Sequence, residues 1–303
     1  MAAHRFRLTV QTVLPENYET DESFRRRLEL LAELGFWGVE LNVADPEQAD
    51  FERISTFLNE YGLSFSMFAS GLTAKTLGLS LSDADEENRQ KSVQKAQAMV
   101  DFVSPNPECG IIFGFLKGPK VADADVARQQ FRRSLDELVP YATERGTMLL
   151  VESTNRYEAS LANGLDDTAE LLSGYRGETV KLLPDTFHMN IEERDMVAAL
   201  ERHKGRYVSV HFSDNNRLFP GFGGINFASI AAYLEAAGFD VEAERDHHED
   251  LLAMRDEVRG RVDYEAILGL MGERGRRVRD AVEELEAAVE DGRVSYVSLV
   301  ATA

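Results

Sequence analysis

Two carboxylates and an imidazole occupy matching points on three apolar runs. Met148-Leu149-Leu150-Val151 ends in Glu152, Val180-Lys181-Leu182-Leu183-Pro184 ends in Asp185, and Val208-Ser209-Val210 ends in His211. If the runs are neighbouring strands of one sheet, the three side chains share a rim. Two carboxylates and an imidazole, with room left for water or substrate oxygens, make an open site for Mn2+, Mg2+, Co2+ or Zn2+. Each residue also has a purely structural use. Glu152 could pair with Arg156 at a strand end, Asp185 could cap the turn after its strand, and His211 could bond backbone in the core. It is the coincidence of all three at equivalent positions that favours a metal.

The elements that must position them alternate along the chain. Short apolar runs predict strands at 6–13, 37–43, 63–70, 110–116, 147–152, 180–185 and 207–212. Helical spacing predicts helices at 22–34, 51–61, 86–102, 125–144, 167–173, 196–203 and 227–237, with stops at Gly35, Gly146 and Gly238. Strict βα order implies a parallel sheet with helical crossovers. The stretch 12–20 between the first strand and first helix has no glycine, which argues against an open dinucleotide-binding sheet. A (β/α)8 TIM barrel is therefore expected, as one domain over 1–303, with its chemistry at the C-terminal ends of the strands. The eighth unit is irregular. Residues 241–292 read as a charged helical insertion, 294–300 as strand eight, and nothing remains for a last helix.

Composition narrows the partners. The chain has 303 residues, 44% hydrophobic, with 53 acidic against 33 basic side chains and a formal net charge of -20. Such a surface repels nucleic-acid phosphate and anionic lipid, and suits a neutral substrate or a cation. A phosphorylated substrate would want a basic cluster, and none is evident. Cys109 is the single cysteine, which excludes an intrachain disulfide and a cysteine-rich zinc site. The N-terminus lacks the apolar core of a signal peptide, and no run is long enough to span a membrane, so a cytoplasmic protein is expected.

Longer phrases surround the three residues. VESTNRYEASLAN (151–163), LLPDTFHMNIEE (182–193) and HFSDNNRLFPGFGGINF (211–227) resemble the xylose-isomerase-like barrels of the sugar isomerase/epimerase superfamily. By motif they are most similar to ketose 3-epimerases of the D-tagatose and D-psicose type. GFWGVEL (35–41) and ASGLTAKTLGLSLSDADEENR (69–89) share the likeness, which runs from about 6 to 240. The resemblance implies that Glu152, Asp185 and His211 ligate a divalent metal, with Mn2+ the leading candidate. It implies that Glu152 is also one of two carboxylates that move a proton at a sugar carbon. It places Glu158, His188 and Arg217 against substrate oxygens. As structural alternatives, Glu158 could be an exposed charge, and His188 and Arg217 could anchor loops. Glu192 and Glu193 read as first-turn helix acids.

One position departs from that pattern. The superfamily's last strand ends in a Glu, the fourth ligand and second acid/base, whereas the matching phrase here is Tyr296-Val297-Ser298-Leu299-Val300. An ungapped reading instead puts Asp246 there, within VEAERDHHED, beside His247 and His248. The chemistry implied is removal of a proton next to a sugar carbonyl to give an enediolate. Return of the proton from the opposite face inverts the carbon; return at the neighbouring carbon isomerises the sugar. The alternatives are a catalytically impaired sugar- or metal-binding relative, a hydroxypyruvate isomerase, a sugar-phosphate epimerase, a polyol dehydratase and a zinc endonuclease. The six histidines and the net charge disfavour the endonuclease. A homodimer or homotetramer would suit a pocket closed by a neighbouring subunit.

Overall fold

Aspartate starts most of the helices. Asp21, Asp50, Asp85, Asp123, Asp185 and Asp195 each accept a backbone N–H from the first turn that follows. A carboxylate there satisfies a donor with no intrahelical partner and lies at the positive end of the helix dipole. Part of the acidic excess is thus local structure. In the computed structural model, residues 6–237 and 294–301 are described. They form β1 (Phe6–Val13), α1 (Glu22–Glu33), β2 (Gly38–Asn42), α2 (Phe51–Asn59), β3 (Ser64–Ala69), α3 (Gly71–Leu77) and α4 (Glu86–Val103). There follow β4 (Gly110–Phe113), a 3-10 turn at Phe115–Lys117, α5 (Ala124–Glu144), β5 (Leu149–Glu152), α6 (Gly164–Leu171) and β6 (Val180–Leu183). The last are α7 (Thr186–Glu192), α8 (Met196–Arg202), β7 (Ser209–Phe212), α9 (Phe227–Ala236) and β8 (Val294–Ala301).

β1 to β6 pair in chain order, all parallel. β7 joins β6 through the bridges Leu182↔Tyr207 and Asp185↔His211, with His211 N donating to Pro184 O at 2.8 Å. β8 closes the ring between β7 and β1. The barrel expected from the alternation is therefore present. Two short helices, α3 and α7, fall where the sequence reads as loop. Each is seven residues long, too short for a helical period to declare itself. Among the described residues, no helix is long and apolar enough to cross a membrane.

Strand eight lies where the sequence puts it, but it runs antiparallel to both neighbours. Val300 pairs with Arg7 and Ser209, at the beginnings of β1 and β7. It therefore sits at the opposite rim from Glu152, and does not occupy the strand-end position that the family pattern assigns to a carboxylate. Backbone pairing alone selects this arrangement as readily as a parallel one, because either direction satisfies the exposed edges of β1 and β7. The helical insertion expected at 241–292, with Asp246, His247 and His248, lies outside the described residues.

Alternation sorts the strand side chains into two layers. Val39, Leu41, Ile111, Phe113, Leu149, Val151, Leu182, Val210 and Phe212 face the helices in one large core. Met67, Ile112, Leu150 and Leu183 form a separate cluster inside the barrel. Period two then sends Glu152 inward above Leu150, and Asp185 inward above Leu183. Glu40, flanked by the outward Val39 and Leu41, also turns inward. The apolar floor, at roughly 1.5–3 kcal/mol per buried side chain, thus carries a polar layer on top.

The position of β2 depends on a close approach. A Cβ on Gly38 would lie 2.3 Å from the Ser64 backbone oxygen, its register partner on β3. Backbone cannot yield there without moving the strand. Gly38→Ala is expected to destabilise the protein by at least about 2 kcal/mol, read from the urea midpoint. A midpoint within experimental error of wild type would contradict the account.

Candidate metal centre

Asp185 divides its two oxygens between fold and site. Oδ1 accepts from Phe187 N at 2.8 Å and His188 N at 3.4 Å, capping α7. Oδ2 is buried with no hydrogen-bond partner among the described residues, as is Oε1 of Glu152. Both atoms lie 3.8 Å from His188 Nε2. Ligand atoms of Glu152, Asp185 and His188 all fall within 4.8 Å of one another. Two buried carboxylate oxygens without donors are costly unless a cation or proton joins them. That is the state expected of atoms that receive a metal, so the residues present fit a divalent ion.

His211 stands beside this group. Its Nδ1 is 3.7 Å from Glu152 Oε1, and its Nε2 is 3.2 Å from Glu40 Oε2. Glu40 and His211 are wholly buried, and Gln11 Nε2 donates to the other oxygen of Glu40. Burial opposes the charge on His211, but Glu40 and Glu152 overcome it and hold the imidazole protonated, up to about 10. Burial also opposes ionisation of Glu152, but His211 above all outweighs it and keeps the carboxyl below the usual range. Asp185 moves the other way, raised by burial and by the charge on Glu152. Two neighbouring carboxylates therefore share one balance of charge.

The residues expected to meet substrate gather around the pair. His188 Nδ1 lies 3.1 Å from Asn155 N, which donates to it, and 2.8 Å from Asn155 Nδ2. Burial lowers the His188 pKa and favours the neutral ring. A neutral imidazole accepts at one nitrogen only. The two Asn155 contacts therefore leave the proton on Nε2, the atom that faces Glu152 and Asp185. The contact of Arg217 Nη2 with Nε2 at 3.3 Å is then packing, not a hydrogen bond. Arg217 also reaches Glu158 Oε1 at 3.1 Å, lies 3.7 Å from Asp185 Oδ2, and stacks 3.6 Å above the Phe187 ring. Glu158 is half-exposed and is steadied by Asn155 Nδ2 at 2.9 Å.

Asp214 builds the loop that carries Arg217. Its two oxygens accept from the backbone N–H of Asn215, Gly221, Gly223 and Ile225 at 2.8–3.1 Å. A Cβ on Gly223 would fall 2.2 Å from Asp214 Oδ1, so the loop closes only around glycine. Arg217 itself is held at φ 64, a left-handed conformation that an arginine adopts only under such constraint. The structural alternatives for Glu152 and for the two acids after Asp185 are also resolved. Arg156 pairs with Glu192 at 2.7 Å and not with Glu152. Glu192 ends α7 instead of starting a helix, and Glu193 accepts from Leu165 N at 2.7 Å.

Two residues of this polar layer carry no signal of position at a strand end. Glu40 lies in mid-strand. Lys117 is a buried lysine in the turn after β4, with its ammonium donating to Gly114 O at 3.1 Å. An acidic or basic residue inside an otherwise apolar strand or turn is the one cue that could have singled them out.

Comparison with known proteins follows from this geometry. The family profile described as xylose isomerase-like TIM barrel matches residues 28–260. An L-ribulose 3-epimerase of Methylomonas sp. (strain DH-1) is 30% identical over 213 residues, covering 70% of this chain and 73% of that protein. A 3-dehydro-D-guloside 4-epimerase of Escherichia coli (strain K12) is 26% identical over 240 residues, covering 76% of this chain and 86% of the relative. Among solved structures, an L-ribulose 3-epimerase superposes with a TM-score of 0.67 at 22% identity, covering 91% of this chain and 97% of that one.

Lys117 gives a prediction that needs no ligand. Burial pushes its ammonium down to about 8, with Glu152 and Glu158 opposing in part. An unfolded lysine titrates near about 10.4. Between those values the unfolded chain binds more protons, so this residue makes wild-type stability rise with pH across that window. Lys117→Met lacks the contribution. The difference in unfolding free energy, wild type minus variant, is expected to grow by on the order of 3 kcal/mol from about pH 8 to about pH 10.4 in metal-free protein. A pH-independent difference in urea titrations would count against the burial of that charge.

Proposed function

The chain belongs to the xylose isomerase-like TIM barrel family, and from that membership we propose that it is a divalent-metal-dependent ketose 3-epimerase. The observation that carries the reading is the pair of buried, donorless oxygens on Glu152 and Asp185, set at the strand ends among His188, His211 and Arg217. The relatives support the reaction class. Ribulose is a 2-ketose, and a 3-dehydro sugar carries its carbonyl at C3, so a 3-epimerase of the first and a 4-epimerase of the second both invert a carbon next to a carbonyl. The reading treats residues 1–303 as one domain.

In this proposal Glu152, Asp185 and His211 hold the ion, with Mn2+ the first choice for an oxygen-rich, open site. When bound, the ion would supply Lewis acidity towards a sugar carbonyl and its neighbouring hydroxyl, acidifying the C–H of the hydroxyl-bearing carbon next to the carbonyl. Glu152, kept ionised chiefly by His211, is placed to take that proton. His188 acts from outside the ligand set. With Nδ1 committed to Asn155, its Nε2–H is a donor aimed at the carboxylates, and so at a substrate oxygen lying between them. Arg217 places positive charge where an enediolate oxygen develops, and Glu158 holds Arg217 in turn. Inversion requires a second proton-transfer group on the opposite face of the sugar. Asp246, the ungapped match for it, lies outside the described residues.

Glu152→Gln preserves shape and removes the base. It is expected to lower epimerisation of free 2-ketoses by at least about 10^3-fold, measured by chromatography of the C3 epimers, with metal binding weakened by calorimetry. If the Mn2+-loaded wild type turns over no ketose, the catalytic reading fails and a binding relative is what remains. Gly114→Ala tests the geometry from just past the end of β4. Its Cβ would meet Glu152 Oε2 at 2.2 Å, and that oxygen is the free end of a flexible side chain. The variant is expected to fold normally but to lose about 10^2-fold in kcat/KM as the carboxylate is turned aside. Unchanged kinetics would show that Glu152 does not act from this position.

A further inference from the structure

We propose that Glu40 is a positioning residue that fixes the ring of His211, keeping a proton on Nε2 so that Nδ1 is the nitrogen presented to the metal. The inference rests on the reading of His211 as a ligand. Three observations lead to it. First, Glu40 comes from β2 and His211 from β7, 171 residues apart, yet Glu40 Oε2 is 3.2 Å from His211 Nε2. Second, the other ring nitrogen, Nδ1, is the one beside Glu152, at 3.7 Å. The imidazole therefore bridges the two carboxylates edge to edge, and its two nitrogens have different neighbours. Third, Glu40 is itself held. Gln11 is its register partner on β1, and Gln11 Nε2 donates to the Glu40 oxygen that His211 does not use.

A buried carboxylate in a barrel interior is not an economical way to fill space. Taking such a charge out of water costs several kcal/mol before pairing, and an apolar side chain of like volume packs as well or better. Its neighbours along the strand, Val39 and Leu41, are both buried and apolar. Glu40 lies outside the cluster of ligand atoms around Glu152, Asp185 and His188. It reaches the centre through the imidazole. A carboxylate on the far nitrogen of a metal-binding histidine sets the tautomer, fixes the ring plane and raises the basicity of the ligating nitrogen. Nothing about Glu40 marks it in the sequence as a partner of His211, because the contact exists only once β2 and β7 face each other across the closed barrel.

The test reads the ring directly. Wild-type protein labelled with 15N is loaded with Zn2+, which is diamagnetic, and the imidazole nitrogens are followed by long-range 1H–15N correlation, with His211→Gln used to assign the ring. The expected spectrum has His211 Nε2 protonated and Nδ1 shifted as a metal-bound nitrogen. Glu40→Gln can still accept from Nε2–H, so it should keep that pattern and lose less than about tenfold in Zn2+ affinity by calorimetry. Glu40→Leu cannot, and is expected to show a mixed ring pattern and an affinity about 10- to 100-fold lower. Zn2+ on Nε2 of the wild type would overturn the proposal while leaving His211 a ligand. An Nε2-protonated ring and unchanged affinity in Glu40→Leu would overturn it too. A His211 ring that does not respond to Zn2+ at all would bring down the ligand assignment beneath it. If Glu40→Leu fails to fold, the wild-type spectrum and the Gln variant decide between these outcomes.

Discussion

The structure is organised by the repulsion between buried carboxylates at one end of a closed barrel. Glu152 and Asp185 project into a space where water cannot screen them, and Glu40 enters from the opposite wall. At the rim Glu158 adds a further carboxylate, and Lys117 and Arg217 are the basic side chains set against them among the described residues. Among the described residues the carboxylates outnumber the basic groups beside them. In the metal-free protein the deficit is met by protons: His211 is held charged up to about 10, and Asp185 is raised towards its neutral form. A dication would supply positive charge at the same place. The protons and the ion are then alternative solutions to one electrostatic problem, which is why the same residues look perturbed without a metal and complete with one.

Meeting that constraint ties the fold to the site. The carboxylates cannot drift apart, because each is fastened to a structural element. Asp185 is the N-cap of α7, so the hydrogen bonds that start the helix also aim Oδ2. Glu152 lies against Gly114, just past the end of β4, where any side chain would push it away. Arg217 is fixed by a loop wound around Asp214, which spends every oxygen lone pair it can on backbone N–H groups. A site assembled from strand ends and capped loops inherits the rigidity of the barrel wall, and rigid placement of charge is what makes electrostatic stabilisation effective.

Much of this was legible in the chain. The three strand-end residues announce themselves because the runs before them are apolar and of equal phase, and the helices because their periods are long. What was not legible has physical reasons. The helices α3 and α7 are too short for periodicity. The direction of β8 is decided by pairing with β1 and β7, which hydrophobic pattern does not encode, so Val300 falls at the opposite rim from the one the family phrase suggests. Glu40 and Lys117 look like ordinary polar residues until closure of the barrel buries them. Their importance is a property of depth, and depth is not a local quantity of sequence.

His188 shows how far geometry by itself can be followed. Distance alone would choose it, since its Nε2 lies 3.8 Å from both Glu152 and Asp185 and joins them in one cluster of ligand atoms. Hydrogen bonding reverses the choice. The backbone N–H of Asn155 occupies Nδ1, the ring is neutral, and the proton must sit on the atom that a metal would need. For His211 the order is inverted: Nε2 is turned to a carboxylate and Nδ1 to the centre. The two histidines are thus distinguished by which nitrogen their surroundings have already engaged. In the proposed function one would donate to a substrate oxygen and the other would give up a proton to an ion, and that difference would follow from Asn155 and Glu40 more than from the histidines themselves.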